Sequence, residues 1–170
     1  MKNFRLIIAT VASVFLFASC AGDKKDKKDA NSTEVNKEVT EVAKDEVYKI
    51  VVTGNDVMKY NRSTITVSAG QKVELTLRHV GQLPKEAMGH NLVILNLGTD
   101  VATFAESAMV AMDNDYIPAD ESAIFVHTKM LGGGESDTIT FTAPTEKGEY
   151  DFICSFPGHY GAMRGKFIVE

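Results

Sequence analysis

The segment YDFICSFPGHYGAM, residues 150–163, begins as a β-strand pattern and ends in a loop. Its first five residues include the aromatic and β-branched types that favour strands, and a proline and a glycine then supply a turn. A second strand pattern, KFIV, follows at residues 166–169. Because the loop joins two strands, we expect it to bring the side chains of Cys154, His159 and Met163 toward one point.

The same strand pattern recurs along the chain from about residue 46 onward. Short runs with apolar residues at every second position are separated by Gly, Asn, Asp and Ala-Gly turn signals. We therefore predict an all-β fold, a Greek-key sandwich or barrel of about eight strands, with one short inserted helix at residues 99–112. The predicted strands are residues 47–53, 64–68, 72–78, 91–95, 124–127, 138–141, 150–154 and 166–169.

A second imidazole, that of His90, lies far upstream in the segment MGHN, residues 88–91. Two imidazoles and one thiolate with a weakly bound thioether form the ligand set of blue-copper electron-transfer sites. The residues therefore predict one copper ion that cycles between Cu(I) and Cu(II), held by His90, Cys154, His159 and Met163. Catalysis by copper would need an open coordination position, and here each position has a protein donor. This argues against an enzyme.

Other interpretations of these donors stay open. Cys154 taken alone is compatible with a buried structural thiol, and His159 taken alone with a surface loop residue. The same ligand set also suits a module that stores or delivers copper in the envelope. In a third interpretation Cys154 is the nucleophile of an enzyme and His159 or His90 is its base, but Met163 would then have no role.

Two further histidines lie in or beside predicted strands. We interpret these two, His79 and His127, as core or surface histidines and not as metal ligands, because a histidine in such a position is more often structural.

Residues 1–19 are typical of an export signal. A positively charged start precedes an apolar stretch that is shorter than the roughly 20 residues needed to span a bilayer. The stretch ends at Cys20, in a pattern that resembles a bacterial lipoprotein processing box. We expect Cys20 to carry lipid, although an ordinary secretory signal with an incidental cysteine is the alternative. The predicted location is the cell envelope or periplasm, anchored to a membrane.

Composition separates the rest of the chain into two parts. Residues 20–45 are rich in charges of both signs and lack aromatic residues, which predicts a flexible tether after the lipidated cysteine. Residues 46–170 are long enough for one domain with its own core. The net charge of −5 gives no basic surface for nucleic acid, so we expect no nucleic-acid partner.

From about Val47 to its end, the chain resembles the azurin family, which are bacterial cupredoxins. The spacing of four residues between Cys154 and His159, and of three between His159 and Met163, is azurin-like. The other shared motifs are GND at 54–56, LPK at 83–85, MGHN at 88–91 and HTK at 127–129. The resemblance implies that residues 46–170 form an azurin-like copper-binding domain that carries single electrons.

The resemblance also implies a role for each site residue. His90, Cys154 and His159 would be the equatorial copper ligands, Met163 the weak axial ligand, and the carbonyl oxygen of Gly89 a weak contact on the opposite side.

Two residues beside the predicted ligands, Asn91 and Phe156, would support them. The resemblance implies that Asn91 braces the ligand loop and that backbone N–H groups near Asn91 and Phe156 donate hydrogen bonds to the Cys154 sulfur. Hydrogen bonds of this kind tune the redox potential of a metal site.

An apolar docking patch around His159 is a further implication. We expect the His159 ring to lie at the surface within this patch, and redox proteins such as c-type cytochromes, reductases or oxidases to dock there by transient contact. The residues of the patch would be Met58, Leu83, Met88, Met109, Phe156, Pro157 and Ala162.

The chain departs from the azurin pattern at two places. The usual disulfide has no counterpart, because Tyr48 and the turn at residues 69–71 occupy that region. Leu92 stands where many azurins carry a buried tryptophan. Neither departure affects a predicted ligand.

Overall fold

The computed structural model describes residues 46–170 of the 170-residue chain. Nine strands, two helices and one 3-10 turn make up this part of the chain. The strands are β1 (Tyr48–Asn55), β2 (Lys59–Tyr60), β3 (Thr64–Val67), β4 (Lys72–His79), β5 (Val93–Leu95), β6 (Ile124–His127), β7 (Ser136–Thr142), β8 (Gly148–Ile153) and β9 (Arg164–Val169). The helices are α1 (Lys85–Met88) and α2 (Val101–Met109), and the 3-10 turn is Met112–Asn114.

The strands form two sheets. The first has the order β2-β1-β4-β7, in which β1 and β4 run parallel and the other pairs antiparallel. The second has the order β3-β9-β8-β5-β6, in which only β3 and β9 are parallel. The predicted all-β sandwich is thereby confirmed.

The core lies between the two sheets and follows from the alternation of side chains along each strand. In β4, Val73, Leu75 and Leu77 are fully buried, whereas the residues between them face outward or are partly covered. Phe152 of β8 and Phe167 of β9 supply the largest buried side chains from the other sheet. Burying such residues supplies most of the stabilisation of a fold of this size.

The inserted helix is present and is shorter than predicted. The sequence pattern predicts a helix over residues 99–112, but α2 spans Val101–Met109 and begins where the Asp100 carboxylate accepts a hydrogen bond from the Thr103 backbone N–H at 2.8 Å. This cap fixes the first turn. Two short elements, β2 and α1, were not predicted, because two and four residues are too few to give a periodic pattern.

The predicted signal, Cys20 and the tether at residues 20–45 lie outside the described residues. Within residues 46–170, no helix combines the length and the apolar character needed to cross a membrane.

Candidate metal centre

Three donor side chains converge at one end of the sandwich. The ligand atoms of His90, Cys154 and His159 all lie within 4.8 Å of one another, and all three residues are buried. The Sγ of Cys154 is 3.6 Å from Nδ1 of His159 and 4.0 Å from Nδ1 of His90. Two nitrogens and one sulfur therefore face a common point, as the sequence predicts.

Cys154 reaches this point because it directly follows β8, where the chain leaves the sheet and enters the loop. Its side chain is fully buried, and burial raises the pKa of the thiol to about 11. Among residues 46–170 it is a free cysteine. A metal ion would displace the thiol proton, since only the thiolate is an effective ligand.

His90 enters the site from a different part of the chain, before β5. Its backbone is held by paired hydrogen bonds to Leu131, at 3.0 and 2.8 Å. Its Nε2 donates to the carbonyl oxygen of Asn55 at 2.9 Å, so the lone pair lies on Nδ1, the nitrogen that faces Cys154. Burial lowers the pKa of His90, which keeps the ring neutral and available as a ligand.

His159 lies on the loop after β8 and is more covered than the sequence interpretation expected. The expectation of a ring at the surface is wrong, because the residue is only 3% exposed. The ring of Phe156 covers it, with centroids 4.6 Å apart, and the ring of His90 lies 5.1 Å away on another side. The same burial lowers the pKa of His159 to about 4.

Met163 closes the ligand loop just before β9. Its backbone N–H donates to the carbonyl of His159 at 2.8 Å, and its own carbonyl accepts from the backbone N–H of Cys154 at 3.0 Å. The side chain is fully buried in the same apolar cluster as Cys154. Backbone hydrogen bonds within the loop therefore fix the three residues that carry its donor atoms, Cys154, His159 and Met163.

Asn91 joins two segments of the site: the segment before β5, in which it lies, and the ligand loop, residues 154–163. Its side-chain amide donates to Oγ of Ser155 at 2.8 Å, and its side-chain oxygen accepts from the Ser155 backbone N–H at 2.9 Å. Backbone N–H groups of Asn91 and Phe156 also hydrogen-bond the Cys154 sulfur, which lowers the pKa of that thiol against the larger effect of burial. The supporting roles of Asn91 and Phe156 at a copper ion stay predictions.

Two glycines lie where the backbone packs closely at the site. A Cβ atom on Gly54 would lie 2.9 Å from Cδ2 of the His90 ring and 3.2 Å from Cε of Met163. A Cβ on Gly89 would lie 2.6 Å from the carbonyl oxygen of Lys85. The carbonyl oxygen of Gly89 is 3.7 Å from the Cys154 sulfur, so this backbone atom also faces the site.

His79 supports the site without joining it. The residue is 1% exposed, and its ring stacks on that of His90 with centroids 4.3 Å apart and planes 13° apart. Its Nε2 donates to the Met88 carbonyl at 2.8 Å, and its Nδ1 accepts from the Gly81 N–H at 3.1 Å. Both ring nitrogens of His79 thus have hydrogen-bond partners, as expected for a histidine in the core.

His127 lies at the end of β6 and is partly buried. Its Nδ1 is 3.0 Å from the Thr128 carbonyl oxygen. Like His79, it is absent from the group of converging donors.

The residues predicted to form a docking patch differ in exposure. Met58, Leu83 and Met109 are large apolar side chains that are 38, 42 and 50% exposed. Ala162 is also exposed, whereas Met88, Phe156 and Pro157 are partly buried.

Residues 46–170 match the sequence profile of the copper-binding proteins described as the plastocyanin/azurin family. The chain belongs to this family. Azurin of Alcaligenes faecalis is 39% identical over 119 residues, which cover 68% of this chain and 93% of that protein. Outer membrane protein H.8 of Neisseria meningitidis serogroup B is 42% identical over 120 residues, covering 69% of this chain and 65% of that protein.

Solved structures of blue copper proteins have the same fold. Reduced auracyanin of Roseiflexus castenholzii superposes with a TM-score of 0.65 at 38% identity, covering 72% of this chain and 96% of that one. Auracyanin A of Chloroflexus aurantiacus, described as a "blue" copper protein, gives 0.67 at 30% identity, covering 74% of this chain and 100% of that one.

The donor set of this chain fits the family's metal. Two neutral imidazoles, one thiolate and a thioether suit copper, which takes soft sulfur donors as Cu(I) and imidazole with thiolate as Cu(II). The protein is therefore a copper-binding cupredoxin of the azurin type that takes one copper ion, with His90, Cys154 and His159 in the candidate metal-binding group.

Proposed function

We propose that this protein carries single electrons between redox partners in the bacterial cell envelope. His90, Cys154, His159 and Met163 would hold the copper ion, with the carbonyl oxygen of Gly89 beside it. The convergence of three buried donor atoms within 4.8 Å supports this proposal most directly. Copper supplies the chemistry, a one-electron change between Cu(II) and Cu(I).

Burial of the donors favours electron transfer over catalysis. His90 and Cys154 are 0% exposed and His159 is 3% exposed, so the protein covers the position that a substrate would have to occupy. Electrons can cross a thin layer of protein, whereas a substrate must contact the metal or the nucleophile. A nucleophilic role for Cys154 is also disfavoured, because burial raises the pKa of its thiol to about 11.

The bracing of the donors also favours electron transfer. The His90 ring is fixed by the Asn55 carbonyl on one nitrogen and by the stacked ring of His79. The ligand loop is fixed by the two hydrogen bonds between Asn91 and Ser155. Donors that keep their positions when the charge of the ion changes require little rearrangement, which makes electron exchange fast.

Electrons would enter and leave through the edge of His159, across the ring of Phe156 and the apolar residues around it. The exposed side chains of Met58, Leu83 and Met109 suit a small, short-lived contact with a partner such as a c-type cytochrome, a reductase or an oxidase. The location within the envelope, with a lipid anchor on Cys20, is part of the same proposal. Its support is the export-like N-terminus and the relative that is named an outer membrane protein.

The function is tested by measuring two rates on the copper-loaded protein. Reduced cytochrome c is mixed with the Cu(II) protein, and the rate of electron exchange is followed by absorbance. Copper release from the Cu(I) protein to a chelating acceptor is followed in parallel. An electron carrier exchanges electrons rapidly and retains its copper. Negligible exchange with ready copper release would overturn the proposal in favour of a storage or delivery module.

A further inference from the structure

A buried tyrosine connects the first sheet to the copper site. Tyr60 ends β2, the edge strand that pairs with the end of β1, and it is 6% exposed. Its ring packs against that of Phe152 with centroids 5.8 Å apart. Its hydroxyl donates a hydrogen bond to the backbone carbonyl oxygen of Asn91, in the segment that carries His90.

This hydrogen bond holds a residue on which the ligand arrangement depends. Asn91 is 0% exposed, and among residues 46–170 its carbonyl oxygen accepts no hydrogen bond other than that of Tyr60. The Asn91 side chain is bonded to Ser155 of the ligand loop. Asn91 is therefore fastened to the ligand loop by its side chain and to the first sheet by its carbonyl. Loss of the Tyr60 hydroxyl would leave a buried carbonyl without a partner, which proteins rarely tolerate without rearrangement.

Asn91, which Tyr60 holds, is in turn close to the proposed copper ligand. The backbone N–H groups of Asn91 and Phe156 hydrogen-bond the Cys154 sulfur. These two N–H groups are hydrogen-bond donors to a sulfur atom that belongs to a buried apolar cluster. Tyr60 therefore acts on the sulfur by holding Asn91.

We propose that Tyr60 is a positioning residue that sets the redox potential of the copper site by fixing Asn91 against the Cys154 sulfur. This inference rests on the proposed function. Hydrogen bonds to a thiolate ligand withdraw electron density from the sulfur and weaken its donation to Cu(II) more than to Cu(I). Tyr60 therefore favours the reduced state, and its removal lowers the potential.

Tyr150 offers a matched control within the same domain. It is 4% exposed, and its hydroxyl donates to the backbone carbonyl oxygen of Glu146 at 2.8 Å. It lies on β8, where it pairs with Phe167 of β9. Tyr150→Phe thus removes the same kind of hydrogen bond as Tyr60→Phe, but the bond that it removes goes to Glu146 and not to Asn91.

The experiment compares copper-loaded wild type, Tyr60→Phe and Tyr150→Phe by redox titration and visible absorption. We expect Tyr60→Phe to have a lower potential and a displaced thiolate-to-copper band, and Tyr150→Phe to match the wild type in both. A potential and band of Tyr60→Phe that equal those of Tyr150→Phe would overturn the inference. A wild type without the band would instead contradict the proposed function.

A rescue variant covers the case in which Tyr60→Phe does not hold copper. 4-Aminophenylalanine at position 60 keeps an N–H donor at the same place on the ring. We expect it to bind copper and to return the potential and the band toward their wild-type values. If this variant behaves like Tyr60→Phe, the hydrogen bond is not what matters and the inference is wrong.

Discussion

The ring of His90 lies directly against the backbone of Gly54, with space for a hydrogen atom and none for a methyl group. A Cβ on Gly54 would approach ring carbon Cδ2 to 2.9 Å and Cε of Met163 to 3.2 Å. Gly54 is near the end of β1, in the sheet opposite the one whose strand β8 leads into Cys154. The first sheet thus forms a wall of the site.

Gly54→Ala is predicted to displace the proposed ligands. The added methyl group pushes the His90 ring and the Met163 side chain, which are both fully buried and have nowhere to move without disturbing their neighbours. We expect an altered visible spectrum of the copper protein and a loss of about 1–3 kcal/mol in the free energy of unfolding, typical of overpacking. Absorption spectra and urea unfolding measure the two effects.

Gly161→Ala is the matched control for this prediction. It lies in the ligand loop itself, yet a Cβ at that position would meet no atom within 4 Å. We expect its spectrum to remain that of the wild type. A wild-type spectrum for Gly54→Ala would show that the wall at β1 does not position the ligands.

Asn91→Ala is predicted to loosen the ligand loop. The substitution removes both side-chain hydrogen bonds to Ser155 and leaves buried groups without partners. We expect a loss of about 1–3 kcal/mol in the free energy of unfolding of the copper-free protein, and faster copper release. Unfolding in urea and transfer of copper to a chelator provide the measurements.

Asn96→Ala serves as its control, because the Asn96 side chain likewise donates a hydrogen bond to a serine, to the backbone carbonyl of Ser122 at 2.8 Å, in a different loop. It should lose stability without faster copper release. Equal release rates for the two variants would argue that Asn91 has no special relation to the ligand loop.

The copper-free protein is predicted to lose stability as the pH falls from about 6.5 to about 4. Burial lowers the pKa of both His90 and His159, the latter to about 4, while the unfolded chain titrates near the ordinary value of 6.5. In this interval the unfolded state binds more protons than the folded state, so protonation favours unfolding. The stabilisation is complete above pH 6.5 and falls by up to about 1.4 kcal/mol per pH unit for each histidine.

Urea unfolding midpoints of the copper-free protein between pH 7.5 and 4 check this prediction. His159→Gln removes one of the two titrating rings, and its stability should depend less steeply on pH. An unchanged midpoint across the interval in the wild type would mean that neither ring is kept neutral by burial.

Leu83→Lys is predicted to slow electron exchange without changing the site. Leu83 is 42% exposed and belongs to the proposed docking patch, and a charge there would have to be desolvated when a partner docks. We expect a several-fold lower exchange rate with cytochrome c and an unchanged visible spectrum. Val51→Lys, an exposed apolar position on β1, is the control and should exchange electrons like the wild type. Equal rates for the two variants would place the docking surface elsewhere.

The sequence predicts much of this fold because its strands alternate clearly. The pattern in β4, where Val73, Leu75 and Leu77 alternate with polar residues, identifies both the strand and its buried face. The close spacing of Cys154, His159 and Met163 likewise identifies a cluster on one loop. His90 was assigned from its donor chemistry and from the resemblance of its motif, and the structure brings it to the same point.

What the sequence does not predict depends on contacts between distant segments. Tyr60 lies on a two-residue strand with no periodic pattern, and only the folded structure brings its hydroxyl to Asn91. The burial of His159 was missed for a similar reason, because Phe156 lies three residues before it and covers it only when the loop turns. The role of Gly54 also depends on the distant His90 ring.

The account depends above all on copper being bound through the Cys154 sulfur together with the two imidazoles. Visible absorption after addition of copper(II) to the purified copper-free protein tests this directly. We expect an intense thiolate-to-copper band in the wild type and no band in Cys154→Ser, whose fold is checked by circular dichroism. A wild-type protein that stays colourless with copper bound, or a Cys154→Ser protein that keeps the band, would contradict the account.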